Sequence, residues 1–414
     1  MSLKNNVFSA IGGSLEWFDF ALYAFFAPIF ASIFFSNVGR SHLTSLIISY
    51  GIFAIGFAAR PIGGLIFGYF GDKYGRLFSL RITPVLSAIT SIAMALLPTY
   101  QSIGNAAIFL LILTRILQGI FIGGEFTGNI VYLCESSNKK YFWGSIGSCT
   151  GSFGILLASI TASIFYSCFS KQFMYGYGWR IAFLLSIPLV IITFIMRLKI
   201  SESREFLSKK SSENPIKLTF KSYKRKLFTC IGLIYLHATS FYFVFMFIPV
   251  FLNKIRHLTE SAALIKNTTF LILHILFIPI LGLLVNIIGG MRGMLIIALS
   301  FCALSIPLFY YICYGTSDQI IFCFLTLSIM TAFNAAIIPG LFSILIPTEV
   351  RYTILALAFN LGFGIFGGIT PALCLLLIHR TGSIISPAYY IAFASAVTLT
   401  TVFMVIKHDE IRKI

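Results

Sequence analysis

Gly68-Tyr-Phe-Gly-Asp-Lys-Tyr-Gly-Arg76 is a short polar stretch set between two apolar runs. Glycine at position 75 permits a tight reversal that a side chain would resist. Asp72 can cap a helix N-terminus, and Arg76 can grip a carboxylate with its planar fork. Together Gly71, Asp72 and Arg76 read as a hinge closed by a latch that can break. Glu135, at the end of a later apolar run, is the expected partner of Arg76 in one of two conformational states. A displacement of 214 positions lays Gly68 on Gly282, Asp72 on Asn286, Gly75 on Gly289 and Glu135 on Glu349, so the chain repeats. The copy is degenerate. Asn286, Ile287 and Gly290 stand at the charged positions, which leaves the second latch weak or absent.

What flanks the hinge sets the class. Of 414 residues, 58 % are hydrophobic and 10 % charged, and the mean hydropathy is +0.94. About 240 apolar residues at roughly 20 per spanning helix allow ten or more membrane crossings. A water-soluble enzyme with an oily core is excluded. Apolar runs bounded by charges and turn residues give twelve spans, near 8–36, 43–70, 77–98, 105–134, 142–168, 179–198, 227–252, 262–288, 292–314, 318–346, 352–378 and 385–406. The expected fold is all-α and polytopic, with two pseudo-symmetric six-helix bundles at 1–198 and 227–414 and a cytoplasmic linker at 199–226. Repeats of this kind, related by an axis along the membrane normal, are an architecture of secondary transporters.

A net charge of +17 would ordinarily suggest nucleic acid. Here Lys73, Arg76, Arg81, Lys139, Lys140, Arg292, Arg351, Lys407, Arg412, Lys413 and the 199–226 segment collect on one side, against Arg40, Lys171, Arg180, Lys254, Arg256, Lys266 and Arg380 on the other. The bias places both termini in the cytoplasm and the linker's bases beside lipid headgroups. No nucleic-acid partner is expected. The eight cysteines show no paired spacing and read as reduced packing residues. Neither a metal, a cofactor nor a nucleotide site is expected, and the chain looks complete as a monomeric transport unit.

Charges inside spans are costly, so each calls for a partner or a function. Glu16 and Asp19 lie near one face of the first span, Arg60 sits in the second, and Arg115 and Glu125 in the fourth. Arg115 and Glu125 are ten residues apart, roughly 15 Å along a helix, and cannot neutralise each other. Asp19 is expected to pair directly with Arg115. Varying their separation would take up and release a proton, unless the pair is permanent and merely fixes helix register. For Glu125 the only evident cation is Arg60, which alternatively snorkels to the interface. Tyr23 and Gln118, on the same two spans, are further candidates for substrate contact. So are Tyr235, His237 and Tyr242 in the seventh span, Asn334 in the tenth and Asn360 in the eleventh, each of which has packing or helix-to-helix bonding as its alternative. Glycines at 119, 123, 124 and 128 imply closely packed spans.

These residues form a recognisable series: Glu16-Trp-Phe-Asp19-Phe, Arg60-Pro-Ile-Gly-Gly64, Gly71-Asp-Lys-Tyr-Gly-Arg76, Gln118-Gly119 with Gly123-Gly-Glu-Phe-Thr-Gly128, Gly178-Trp-Arg180, Arg351-Tyr352, Ala358-Phe-Asn360 and Pro387-Ala-Tyr-Tyr390. The chain resembles the metabolite:proton symporters of the major facilitator superfamily over nearly its whole length. That resemblance implies proton-driven uptake of a small osmolyte or amino acid such as proline or betaine, by alternating access, with Glu16, Asp19 and Glu125 at motif positions. An organic-acid symporter, with Arg115 holding a substrate carboxylate, is the rival expectation. A receptor that binds without transporting is a third.

Overall fold

The computed structural model describes residues 3–35, 42–208 and 213–407. Among the described residues, eleven helices are long and apolar enough to cross a membrane: Thr44–Lys73, Arg76–Leu96, Asn105–Glu135, Lys140–Cys168, Lys171–Leu198, Lys224–Lys254, Ile265–Ile288, Gly290–Tyr314, Ser317–Leu345, Arg351–Thr381 and Ser386–Lys407. A twelfth span, first in the chain, joins Lys4–Phe25 to Ala27–Phe34 through a 57° bend. The bend has a local cause. Pro28 lies in the first turn of the second segment, where its missing N–H leaves the preceding turn without a continuing ladder. The protein is thus a multi-pass membrane protein with the twelve-helix, two-bundle fold expected.

One boundary is corrected. The sixth span begins at Lys171 rather than near residue 179, because a π turn at Met174–Gly178 carries the helix across Gly176 and Gly178 into Trp179. The wider turn accommodates glycines that read as breakers in the sequence.

Two compact units divide the chain: Met1–Ser136 with Thr150–Ile216, and Ser137–Cys149 with Lys217–Ile414. In the first, spans two and four touch backbone to backbone. A Cβ added at Gly63 would lie 1.7 Å from the Ile120 carbonyl oxygen, and one at Gly119 would lie 2.0 Å from that of Gly56. Only glycine allows this approach, and it fixes the axial register of Arg60, Arg115 and Glu125. Phe26, Phe30, Phe34, Trp179 and Phe183 fill the space between spans one and six.

In the second unit, Tyr141 is seated against Gly290 and Gly340, and its hydroxyl accepts a hydrogen bond from the Gly290 N–H at 3.1 Å. Its ring occupies the place that an arginine at 290 would need. The sequence repeat has a backbone counterpart as well: Gly75 (φ +115°, ψ 152°) and Gly289 (φ +86°, ψ 142°) make the same turn into the next span.

Candidate functional site

Asp19 and Arg115 do not form the direct pair expected of them. Gln118 stands between: its Nε2 donates to Asp19 Oδ2 at 3.0 Å, and its Oε1 accepts from Arg115 Nη1 at 2.6 Å. The reason is helical geometry. Gln118 is one turn beyond Arg115 on the same face, and its amide presents one donor and one acceptor to the two charges. The Arg115 guanidinium instead lies over the rings of Phe20 and Tyr23, each 4.4 Å from its carbon to the ring centroid. All three relay residues are buried. Among the described residues, Arg115 Nε and Nη2 have no hydrogen-bond partner, and Ser91 lies within hydrogen-bonding reach of the Asp19 carboxylate.

Tyr23 is fully buried, stacked on Phe30 at 4.6 Å, and donates to the Ser49 carbonyl at 3.2 Å. The side chain of Glu16 lies outside the described residues.

Glu125 has a partner that the sequence reading did not name. Arg197, in the last turn of the sixth span, forms an ion pair with it through Nη2, and Thr83 donates to its other oxygen. Arg197 Nη1 donates to the Leu80 carbonyl at 2.5 Å. Arg60 is therefore not the counter-ion. Nor does it snorkel: it is buried, with its guanidinium 4.9 Å from the Trp17 ring and 5.3 Å from that of Phe57. The signal for Arg197 was present, since it lies inside the span rather than beyond it. One residue short of the expected end of the span at 198, it is counted neither with the intramembrane charges nor with the one-sided basic residues.

At the hinge, Arg76 is enclosed by acids. It donates through Nε and Nη2 to both oxygens of Glu135, at 3.0 and 2.8 Å, and through Nη1 to Asp72 at 2.7 Å and the Gly71 carbonyl at 2.8 Å. The start of the linker completes the cluster. Ser203 donates to Glu135 at 2.6 Å, and Glu202 accepts from the Leu77 N–H at 3.0 Å. In the repeat, Glu349 instead accepts from the Tyr223 hydroxyl, a contact that holds the phenol's pKa up at about 12. Asn286 donates to the Gly282 carbonyl of its own helix.

The polar residues of the second unit are spread over three spans. Tyr235 packs edge-on against Phe366 and His237 against Phe363, at 4.6 and 5.2 Å between centroids. The Tyr242 ring lies on Gly367, where a Cβ would come within 2.6 Å of it. Asn334 and Asn360 are both fully buried. Neither amide atom of Asn334, nor His237 Nδ1, has a partner among the described residues. His274, which the sequence reading passed over, is buried beside Phe245 and donates from Nδ1 to the Ser328 carbonyl at 3.3 Å.

Comparison with known proteins bears on the family and the fold. Residues 5–221 match the family model described as "Sugar (and other) transporter". The proline/betaine transporter of Escherichia coli K12 is 30 % identical over 412 residues, covering 95 % of this chain and 81 % of its own. That of Salmonella typhimurium LT2 gives the same figures. Among solved structures, the major facilitator proton:xylose symporter bound to 6-bromo-6-deoxy-D-glucose superposes with a TM-score of 0.75 at 16 % identity, over 98 % of this chain and 95 % of that one. The outward conformation of the major facilitator transporter FucP gives 0.70 at 14 % identity, over 96 % and 98 %.

Proposed function

Because this chain belongs to the sugar (and other) transporter family of the major facilitator superfamily, and is a secondary transporter rather than an enzyme, we propose that it couples inward movement of a proton to uptake of a small zwitterion of the proline or betaine class. The observation that carries the proton step is the Asp19–Gln118–Arg115 relay. A carboxylate buried against a neutral amide, with its cation one residue removed, is held between two tendencies: burial favours the protonated form, and Arg115 favours the ionised one. Sliding of the fourth span against the first changes how well Gln118 transmits that charge. Asp19 then loads a proton in one access state and releases it in the other.

The substrate class is supported by the names of the relatives at 30 % identity. Gating is assigned to Gly71, Asp72, Arg76 and Glu135, whose cluster holds the linker start against spans two and four. Substrate contact is assigned to Tyr235, His237, Tyr242, Asn334 and Asn360, of which Asn334 is the strongest candidate because its buried amide is unpartnered. The transporter is read as a monomer in a bacterial inner membrane, lipid-bathed, with both termini cytoplasmic.

Substitution Asp19→Asn tests the reading. Expected is loss of gradient-driven accumulation of labelled proline or betaine in proteoliposomes, with counterflow exchange retained. Uphill uptake by that variant at the wild-type level would overturn the assignment of Asp19.

A further inference from the structure

Two buried acids of the first unit face different surroundings. Asp19 is separated from its cation by an amide, whereas Glu125 is in contact with Arg197 and accepts from Thr83. The groups around this second site come from four spans. The fourth supplies Glu125. The third supplies Thr83 and the Leu80 carbonyl, which accepts from Arg197 Nη1. The sixth supplies Arg197, whose own carbonyl accepts from Arg81 Nε at 3.2 Å. The first supplies Gly12, where an added Cβ would lie 2.7 Å from Arg197 Nη2. Next to it, Gly13 makes room for Asn129, one turn beyond Glu125, whose Oδ1 accepts from Ser9 at 2.7 Å.

We propose that Arg197 is a positioning residue: its contact with Glu125 braces spans one, three, four and six as one body and leaves the transported proton to the Asp19 relay. This inference rests on the proton-symport reading. The physical basis is the asymmetry of buried ion pairs. Removing one partner strands a charge in low dielectric, whereas replacing both by neutral groups of similar volume is often tolerated. A proton carrier has the opposite signature, since its loss is not repaired by neutralising a neighbour. Gly12 leaves the room that the guanidinium fills: an added Cβ would lie 2.7 Å from Arg197 Nη2 and 2.8 Å from Thr193 Cγ2.

Full-length protein in proteoliposomes, with radiolabelled proline or betaine as the probe, separates the two roles. Expected for Glu125→Gln and for Arg197→Gln is a fall of about tenfold or more in gradient-driven accumulation, together with a lower melting temperature. The double variant Glu125→Gln/Arg197→Gln should regain both, accumulation to within about threefold of wild type. A double variant that melts like wild type and exchanges substrate by counterflow, yet accumulates none under a proton gradient, would overturn the proposal. Should the double variant fold poorly, Arg197→Lys decides: an unchanged proton-to-substrate ratio supports the brace, and a lost ratio with counterflow intact refutes it. A wild-type protein that accumulates neither probe removes the symport reading alone. The brace is then judged by melting, where a double variant more stable than both singles supports it and one no more stable refutes it.

Discussion

Neutralising Arg76 should be far more damaging than neutralising either acid it binds. Arg76, Asp72 and Glu135 are all buried, and one guanidinium serves both carboxylates through bonds of 2.7 to 3.0 Å. In Arg76→Gln both acids lose their shared cation. Removing one member of a buried pair costs about 3–5 kcal/mol, and with two carboxylates affected the upper end applies. In Glu135→Gln the guanidinium keeps Asp72 as counter-ion, and the loss is that of charge-assisted hydrogen bonds, about 1.5–3 kcal/mol. Asp72→Asn should behave alike. The gap of about 2 kcal/mol corresponds to roughly thirtyfold in an equilibrium constant. Thermal unfolding of the purified variants in one detergent gives the order of stability, and alkylation of single cysteines placed at either mouth reports the balance between access states. Arg76→Gln should melt lowest and show the largest shift in accessibility. Finding Arg76→Gln as stable as Glu135→Gln would refute the idea that one cation holds the cluster together.

Other outcomes follow from the same geometry. Gln118→Ala removes both relay bonds and should weaken gradient-driven accumulation while leaving counterflow measurable; unchanged accumulation would detach Gln118 from coupling. Gly63→Ala puts a methyl 1.7 Å from the Ile120 carbonyl oxygen, so spans two and four must separate, at a cost of about 1–3 kcal/mol or more, seen as reduced yield and melting temperature. Tyr223 is held protonated by Glu349, and its pKa is raised from 10.0 to about 12. Its contribution is therefore complete below pH 10 and lost as pH rises through 12. An alkaline titration of phenolate absorbance, compared with Tyr223→Phe, should show one late-titrating tyrosine disappear.

The spans were legible because apolar runs bounded by charge and turn residues have few readings in a chain this hydrophobic. The Gly75 and Gly289 turns were legible too, since a spacing of 214 repeats both the residues and their positive φ. The Arg76–Glu135 contact joins two motif residues at the ends of their spans. What the sequence concealed was reach across helix faces. Opposite charge matches Asp19 with Arg115 across two spans, but it does not reveal that Gln118 is of the right length to stand between them. Arg197 sits so near its span's end that it is not counted as an intramembrane charge, and its contacts with Glu125, Gly12 and the Leu80 carbonyl distinguish it from a snorkelling residue. The start of the sixth span was misplaced because glycine ordinarily marks a break, and a π turn leaves no simple sequence signature. His274 was lost among the apolar residues around it.

The central claim is that a proton moves with the substrate by way of Asp19. Its most direct measurement is radiolabelled proline and betaine uptake into proteoliposomes carrying wild type or Asp19→Asn, with and without an inward proton gradient, at constant membrane potential. Wild type should show gradient-stimulated accumulation, and the variant exchange without accumulation. Accumulation that ignores the gradient in wild type, or persists at full level in Asp19→Asn, would contradict it.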